Sequence, residues 1–235
     1  MLGIIGGMGP LATAAFYRRL IILSGDRLEA EHIPIIIIGD PRVPSRPAAL
    51  RAGSMAARDA VRDGLLKSVL RAERAGARLL IMPCNTAHAW AGDIAAAATV
   101  PFLSMITAVV DELARTTERM TRIGMLGTSG TVDAEVYDPQ LAAVGRLVVK
   151  PTEGEQALVD SAISSFKRGD MAAGTRFRDA AIRGLADRAD AIVLACTELS
   201  MTPLPSTPVT VIDSADCLAR AAILKVDELA EQPLC

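Results

Sequence analysis

The chain has 235 residues, 51% of them hydrophobic and only 3% aromatic, so aliphatic side chains and alanine must fill its core. A formal net charge of −2 offers no electrostatic footing for nucleic acid or an anionic membrane, and no apolar stretch approaches the ~20 residues of a spanning helix. This length allows one large domain or two of roughly 100–120 residues.

Leu2-Gly3-Ile4-Ile5 reads as a strand, Gly6-Gly7-Met8-Gly9-Pro10 as a glycine-rich turn, and Thr13 to Leu23 as a helix with Phe16, Leu20 and Leu23 on one face. Ile33 to Ile38 is a β-branched run suited to a buried strand. Three prolines between Asp40 and Pro47 predict a loop carrying Arg46. Met55 to Ala75 is helical, with Gly76 as the stop. Arg78 to Pro83 is a strand leading to Cys84, and Thr86 to Ala98 a helix. The pattern then restarts with strand Phe102 to Ser104 and helix Thr107 to Thr117. Strand Arg122 to Gly127 comes next, then the loop Thr128-Ser129-Gly130-Thr131 and a mostly helical Val132 to Ala143. Strand Leu147 to Val149 precedes helices Glu153 to Lys167 and Met171 to Ala186. Strand Ala191 to Leu194 delivers Cys196, and strand Val209 to Ile212 and helix Ser214 to Glu231 close the chain.

Alternation of strand and helix predicts an α/β protein with parallel sheets. The order strand, glycine-containing loop, helix and strand–Cys–Thr occurs twice: Gly6 lies 78 residues before Cys84 and Gly127 lies 69 before Cys196. We expect an internal duplication, with residues 1–100 and 209–235 in one domain, 101–208 in the other, and a cleft between them. Each cysteine stands where a buried strand gives way to polar residues, the edge at which open α/β sheets bind ligands. Two thiols facing one carbon could remove a proton from one face and return it on the other. A thiol's pKa is about 8.5 unless perturbed, and a helix starting just after each cysteine would lower it. A lone free cysteine is most often a small buried apolar residue; the paired setting argues for chemistry at both.

Gly7-Met8-Gly9-Pro10-Leu11-Ala12 fits the loose G-x-G-x-x-A dinucleotide pattern. However, Pro10 removes a donor from the turn, and Asp40 lies beyond the spacing of a ribose-binding acid. A glycine turn that cradles a small carboxylate fits as well. Arg46 suits bidentate carboxylate recognition, although it and Lys167 could equally be solvated surface charges. His88 reads as a core or helix-surface histidine, and Glu198 as a ligand-orienting group or a helix cap. Cys217 and Cys235 read as non-catalytic. No CxxC pair or metal-finger spacing occurs, and no basic leader with a cleavage site stands at the N-terminus. Together these give the expectation of a cytoplasmic protein with free thiols.

At these residues the chain resembles the aspartate/glutamate racemase superfamily, most closely its aspartate racemases. Gly6 to Pro10 with Thr13, Pro83-Cys84-Asn85-Thr86-Ala87-His88, Thr128-Ser129-Gly130-Thr131 with Tyr137, and Cys196-Thr197-Glu198-Leu199 are similar to that family's motifs. The resemblance implies two pseudo-symmetric flavodoxin-like domains with the active site between them, and cofactor-independent racemisation by a homodimer. It implies Cys84 and Cys196 as the two catalytic bases and Arg46 and Lys167 in recognition of the substrate's carboxylates, where we expect them on the distal one. Asn85, Thr86, Thr128 and Thr197 are expected around the α-carboxylate, with Met8, Gly9 and Glu198 completing the substrate site. Both cysteines are present, unlike in arylmalonate decarboxylase-like relatives. Glu198 stands where glutamate racemases carry histidine, which favours the aspartate branch. Pro47 and Gly39 depart from the family pattern in the side-chain pocket. Racemisation of glutamate or a hydantoin, and a non-catalytic carboxylate-binding role, stand as alternatives.

Overall fold

Leu2–Gly6 (β1) is the first strand of the computed structural model, which describes residues 1–116 and 120–231. It pairs in parallel with Ile35–Gly39 (β2) on one side and Leu79–Ile81 (β3) on the other, and Phe102–Leu103 (β4) extends β3. Arg122–Gly127 (β5), Leu147–Val149 (β6), Ala191–Ala195 (β7) and Thr210–Asp213 (β8) repeat the arrangement. The sheet orders are β2-β1-β3-β4 and β6-β5-β7-β8, so the duplication extends to topology. Central strands β1 and β7 are buried along their whole length because helices cover both faces of each sheet.

The helices are Pro10–Leu23 (α1), Arg46–Ala52 (α2), Met55–Arg74 (α3), Ala91–Ala97 (α4), Met105–Thr116 (α5), Ser129–Asp133 (α6), Asp138–Ala143 (α7), Glu153–Lys167 (α8), Met171–Ala186 (α9) and Ser214–Glu231 (α10). One face of the first sheet packs Ile5, Leu80 and Met82 against Val61, Leu65 and Val69 of α3. The corresponding face of the second packs Leu126, Ile192 and Leu194 on α8 and α9.

On the remaining faces the halves exchange helices. Helix α5 follows the first sheet but lays Ile106, Val109 and Leu113 against Ile123, Met125 and Val193 of the second. Helix α10 follows the second sheet but lays Leu218, Ala219 and Ala222 against Leu2, Ile4 and Ile81 of the first.

Two sequence expectations change here. Strand β4 was expected with the second domain but is the outer strand of the first sheet. The strand near residue 210 was expected with the first but pairs with β7. Each final strand completes its own half, and only the helix behind it crosses over. The expected helix end at Thr117, and Cys235, lie outside the described residues.

Candidate active site

The carboxyl ends of β1, β3, β5 and β7 converge on one narrow cleft. Cys84, Asn85 and Thr86 line it from the first half, and Thr128, Cys196, Thr197 and Glu198 from the second. Met8, Arg46 and Lys167 close its mouth. The cleft opens into a vestibule of about 380 Å³ walled by Met8, Gly9, Leu11, Ala12 and Met201, with Arg46, Lys167 and Glu198 shared between the two spaces. All the residues singled out for the site therefore meet in one place.

Three of the local settings differ from those expected. Arg46 is not in a loop: it is the first residue of α2, whose N-cap Ser45 accepts a hydrogen bond from the Ala48 amide. Pro47 is accommodated because a proline in the first helical turn sacrifices no intrahelical bond. The Arg46 guanidinium donates to the carbonyls of Val43, Pro44 and Met8 at 3.1–3.2 Å, while its buried Nε has no partner. Neither cysteine precedes an α-helix directly. Short 3₁₀ turns follow, Thr86–Trp90 and Thr197–Ser200, so no long helix dipole points at either sulfur. Nor is the Cys196 thiol made more acidic. Burial, reinforced by the Glu198 carboxylate, pushes it well above the usual thiol value.

Cys196 Sγ donates to Glu198 Oε2 at 3.1 Å, and Thr197 Oγ1 donates to the same oxygen at 3.3 Å. Glu198 Oε1 is buried with no hydrogen-bond partner and lies 3.9 Å from Lys167 Nζ. Across the cleft, the hydroxyls of Thr86, Thr128 and Thr131 form a ring with edges of 2.8–3.0 Å that ties the two halves together. Asn85 is fixed at both ends of its amide: Oδ1 accepts from the Tyr137 hydroxyl and Nδ2 donates to Ser214 Oγ at 3.0 Å. One N–H of that amide is left over.

Within the glycine-rich turn, which also lines the vestibule, Gly7 serves packing. Gly7 has φ +87°, and a Cβ there would lie 2.5 Å from the Asp40 backbone nitrogen. Asp40 is engaged by Arg42 and by Arg71, which hold its carboxyl well below the usual carboxylate range. The acid that a ribose would need is already paired.

The model of the Asp/Glu/hydantoin racemase family matches residues 5–222. This chain belongs to that family. It is 25% identical over 231 residues to the broad specificity amino-acid racemase RacX of Bacillus subtilis, covering 95% of this chain and 96% of that one. Among solved structures, Picrophilus torridus aspartate racemase superposes with a TM-score of 0.83 at 28% identity, over 97% of this chain and 94% of its own. An aspartate racemase homologue from Pyrococcus horikoshii superposes at 0.75 and 26%, over 98% and 99%. Two four-stranded parallel sheets flanked by helices are the architecture these racemase structures share with this one.

Several residues of this racemase-family site were not singled out from sequence. Thr131 and Tyr137 lay within the quoted motif but without a role. Ser214 links Asn85 to the Leu194 carbonyl at 2.7 Å. Arg178, fully buried, donates to the carbonyls of Leu199, Thr202 and Pro203 and so anchors the turn that carries Glu198. His88 is a core residue: its ring joins the Cys84 carbonyl at 2.9 Å to the Met105 amide at 3.0 Å. Cys217 lies in the core on α10, with burial pushing it up to about 12. Among the described residues no group of His, Cys, Asp or Glu is arranged to hold a metal ion, and no helix is long and apolar enough to cross a membrane.

Proposed function

We propose that this protein interconverts L- and D-aspartate, with glutamate as a second substrate, by cofactor-independent proton transfer between Cys84 and Cys196. The observation that carries the reading is the pair of thiols, one from each half and each 7% exposed, lining a single cleft. One thiolate takes the α-proton while the other thiol returns a proton to the opposite face. The carbanion is the costly species, and polar donors fixed before the reaction are the means of lowering it. The free N–H of Asn85 would meet the α-carboxylate, with the hydroxyls of Thr86, Thr128 and Thr197 around it, turning to it from their partners in the free protein. The unpartnered Nε edge of Arg46, with Lys167 beside it, would hold the distal carboxylate. The thiols are not cross-linked, which suits the reducing cytoplasm; a homodimer is the expected assembly.

A broader substrate range is the second reading. The apolar walls of the vestibule, Met8, Leu11 and Met201, leave more room than an aspartate side chain requires.

Proton NMR in deuterium oxide, with L-aspartate, L-glutamate and a panel of neutral and basic L-amino acids, separates these. Loss of the α-proton with appearance of the D-enantiomer for the two acidic substrates alone supports the first reading. Exchange across the panel supports the second, and no exchange in a reduced, folded sample removes both. Changing either cysteine to serine should lower racemisation by about 10²–10⁴-fold, the usual worth of a positioned acid or base. Turnover left intact in both variants would exclude the two-thiol mechanism.

A further inference from the structure

Although the sequence sets the two thiols in matching contexts, their surroundings differ. Cys196 faces a carboxylate at 3.1 Å, and no acidic side chain among the described residues hydrogen-bonds Cys84. Two negative charges at that separation inside a protein are mutually excluded, so the Cys196–Glu198 pair keeps one proton between them. Thr197 adds a second donor on Glu198 Oε2, so that oxygen is an acceptor for both. The other charged groups facing Cys196 are Lys167, 3.9 Å from Glu198 Oε1, and Arg46 across the cleft. Tyr137 also lies within electrostatic reach, with its hydroxyl proton held firmly by burial.

We propose that Glu198 is a positioning residue that retains the proton on Cys196, so that of the two thiols Cys84 is the one to give up its proton and serve as the base, with Cys196 as the acid. The two thiols then begin the cycle with fixed and opposite roles. The enantiomer whose α-hydrogen faces Cys84 meets the thiol that ionises first; the other requires Cys196 to lose its proton beside Glu198. This goes beyond the racemase reading in assigning the resting state, and rests on that reading for the direction of catalysis alone.

The test labels the reduced protein with iodoacetamide under single-hit conditions and follows each cysteine by peptide mass spectrometry from neutral to alkaline pH. The two residues are equally exposed, each 7%, and the pH profile of each rate separates protonation from access. Cys196 should label roughly tenfold or more slowly than Cys84 near neutral pH, since thiolate fraction sets the rate. Glu198→Gln should move the Cys196 labelling profile to lower pH, and Glu198→Asp should restore slow labelling. Equal rates at the two cysteines of the unsubstituted protein overturn the proposal without any variant, as does an unmoved Cys196 profile in Glu198→Gln. The labelling requires no turnover, so failure of the racemase reading in the NMR experiment shows separately from failure here.

Discussion

Protonating His88 breaks the link that carries Cys84. Its neutral ring donates from Nδ1 to the Cys84 carbonyl and accepts at Nε2 from the Met105 amide. A charged ring would set one N–H against another. Burial lowers its pKa from 6.5 to about 4. The unfolded chain therefore takes up this proton first, and the fold weakens as pH falls. The His88 contribution is complete above the unfolded value and lost by about pH 4, on the order of 3 kcal/mol across that window. His88→Gln should flatten that part of the stability profile. Urea midpoints measured for both proteins between neutral pH and pH 4 check it. A profile identical to the unsubstituted protein's would place the acid sensitivity elsewhere.

At the scale of elements, helix α2 sets the cleft because it abuts α6 of the other half. A Cβ on Gly130 would lie 2.7 Å from Pro47 Cα, and Arg51 reaches Ser129 Oγ at 3.1 Å. Gly130→Ala must push α2 away, carrying Arg46 with it. We expect a loss of about 1–3 kcal/mol in stability, the usual penalty of overpacking, and a KM for the racemised amino acid that rises more than kcat falls. Thermal unfolding and steady-state kinetics on the same sample read the two effects. Helix α2 is also where sequence reading went astray. Three prolines between residues 41 and 47 suggested irregular chain, but the last falls in a first helical turn, where proline is tolerated. Helix α1 was legible from the apolar face of Phe16, Leu20 and Leu23, which packs into the core as that spacing requires. The paired cysteines were legible because each interrupts an apolar strand with polar residues. Arg178 was not, since its partners are mostly carbonyls, which every sequence supplies. The unequal settings of Cys84 and Cys196 were hidden too, since they depend on where the Glu198 carboxylate turns.

For the whole molecule, the exchange of α5 and α10 ties the halves together through their cores, away from the cleft. Residues 1–117 contain the first sheet and a helix that covers the second; residues 118–235 contain the second sheet and a helix that covers the first. Expressed singly, each fragment should remain unfolded by circular dichroism. Mixed, they should regain helical signal and racemase turnover, with a midpoint that depends on protein concentration. Independent folding of either fragment would show that the crossing helix is dispensable. A chain of half this length built to the same plan could bury its sheet only by intertwining with a second copy, and its folding would fade on dilution. Joining the two copies end to end makes that encounter intramolecular, so a scarce protein folds as readily as an abundant one, and each half is free to drift in sequence while its twin still supplies the missing wall.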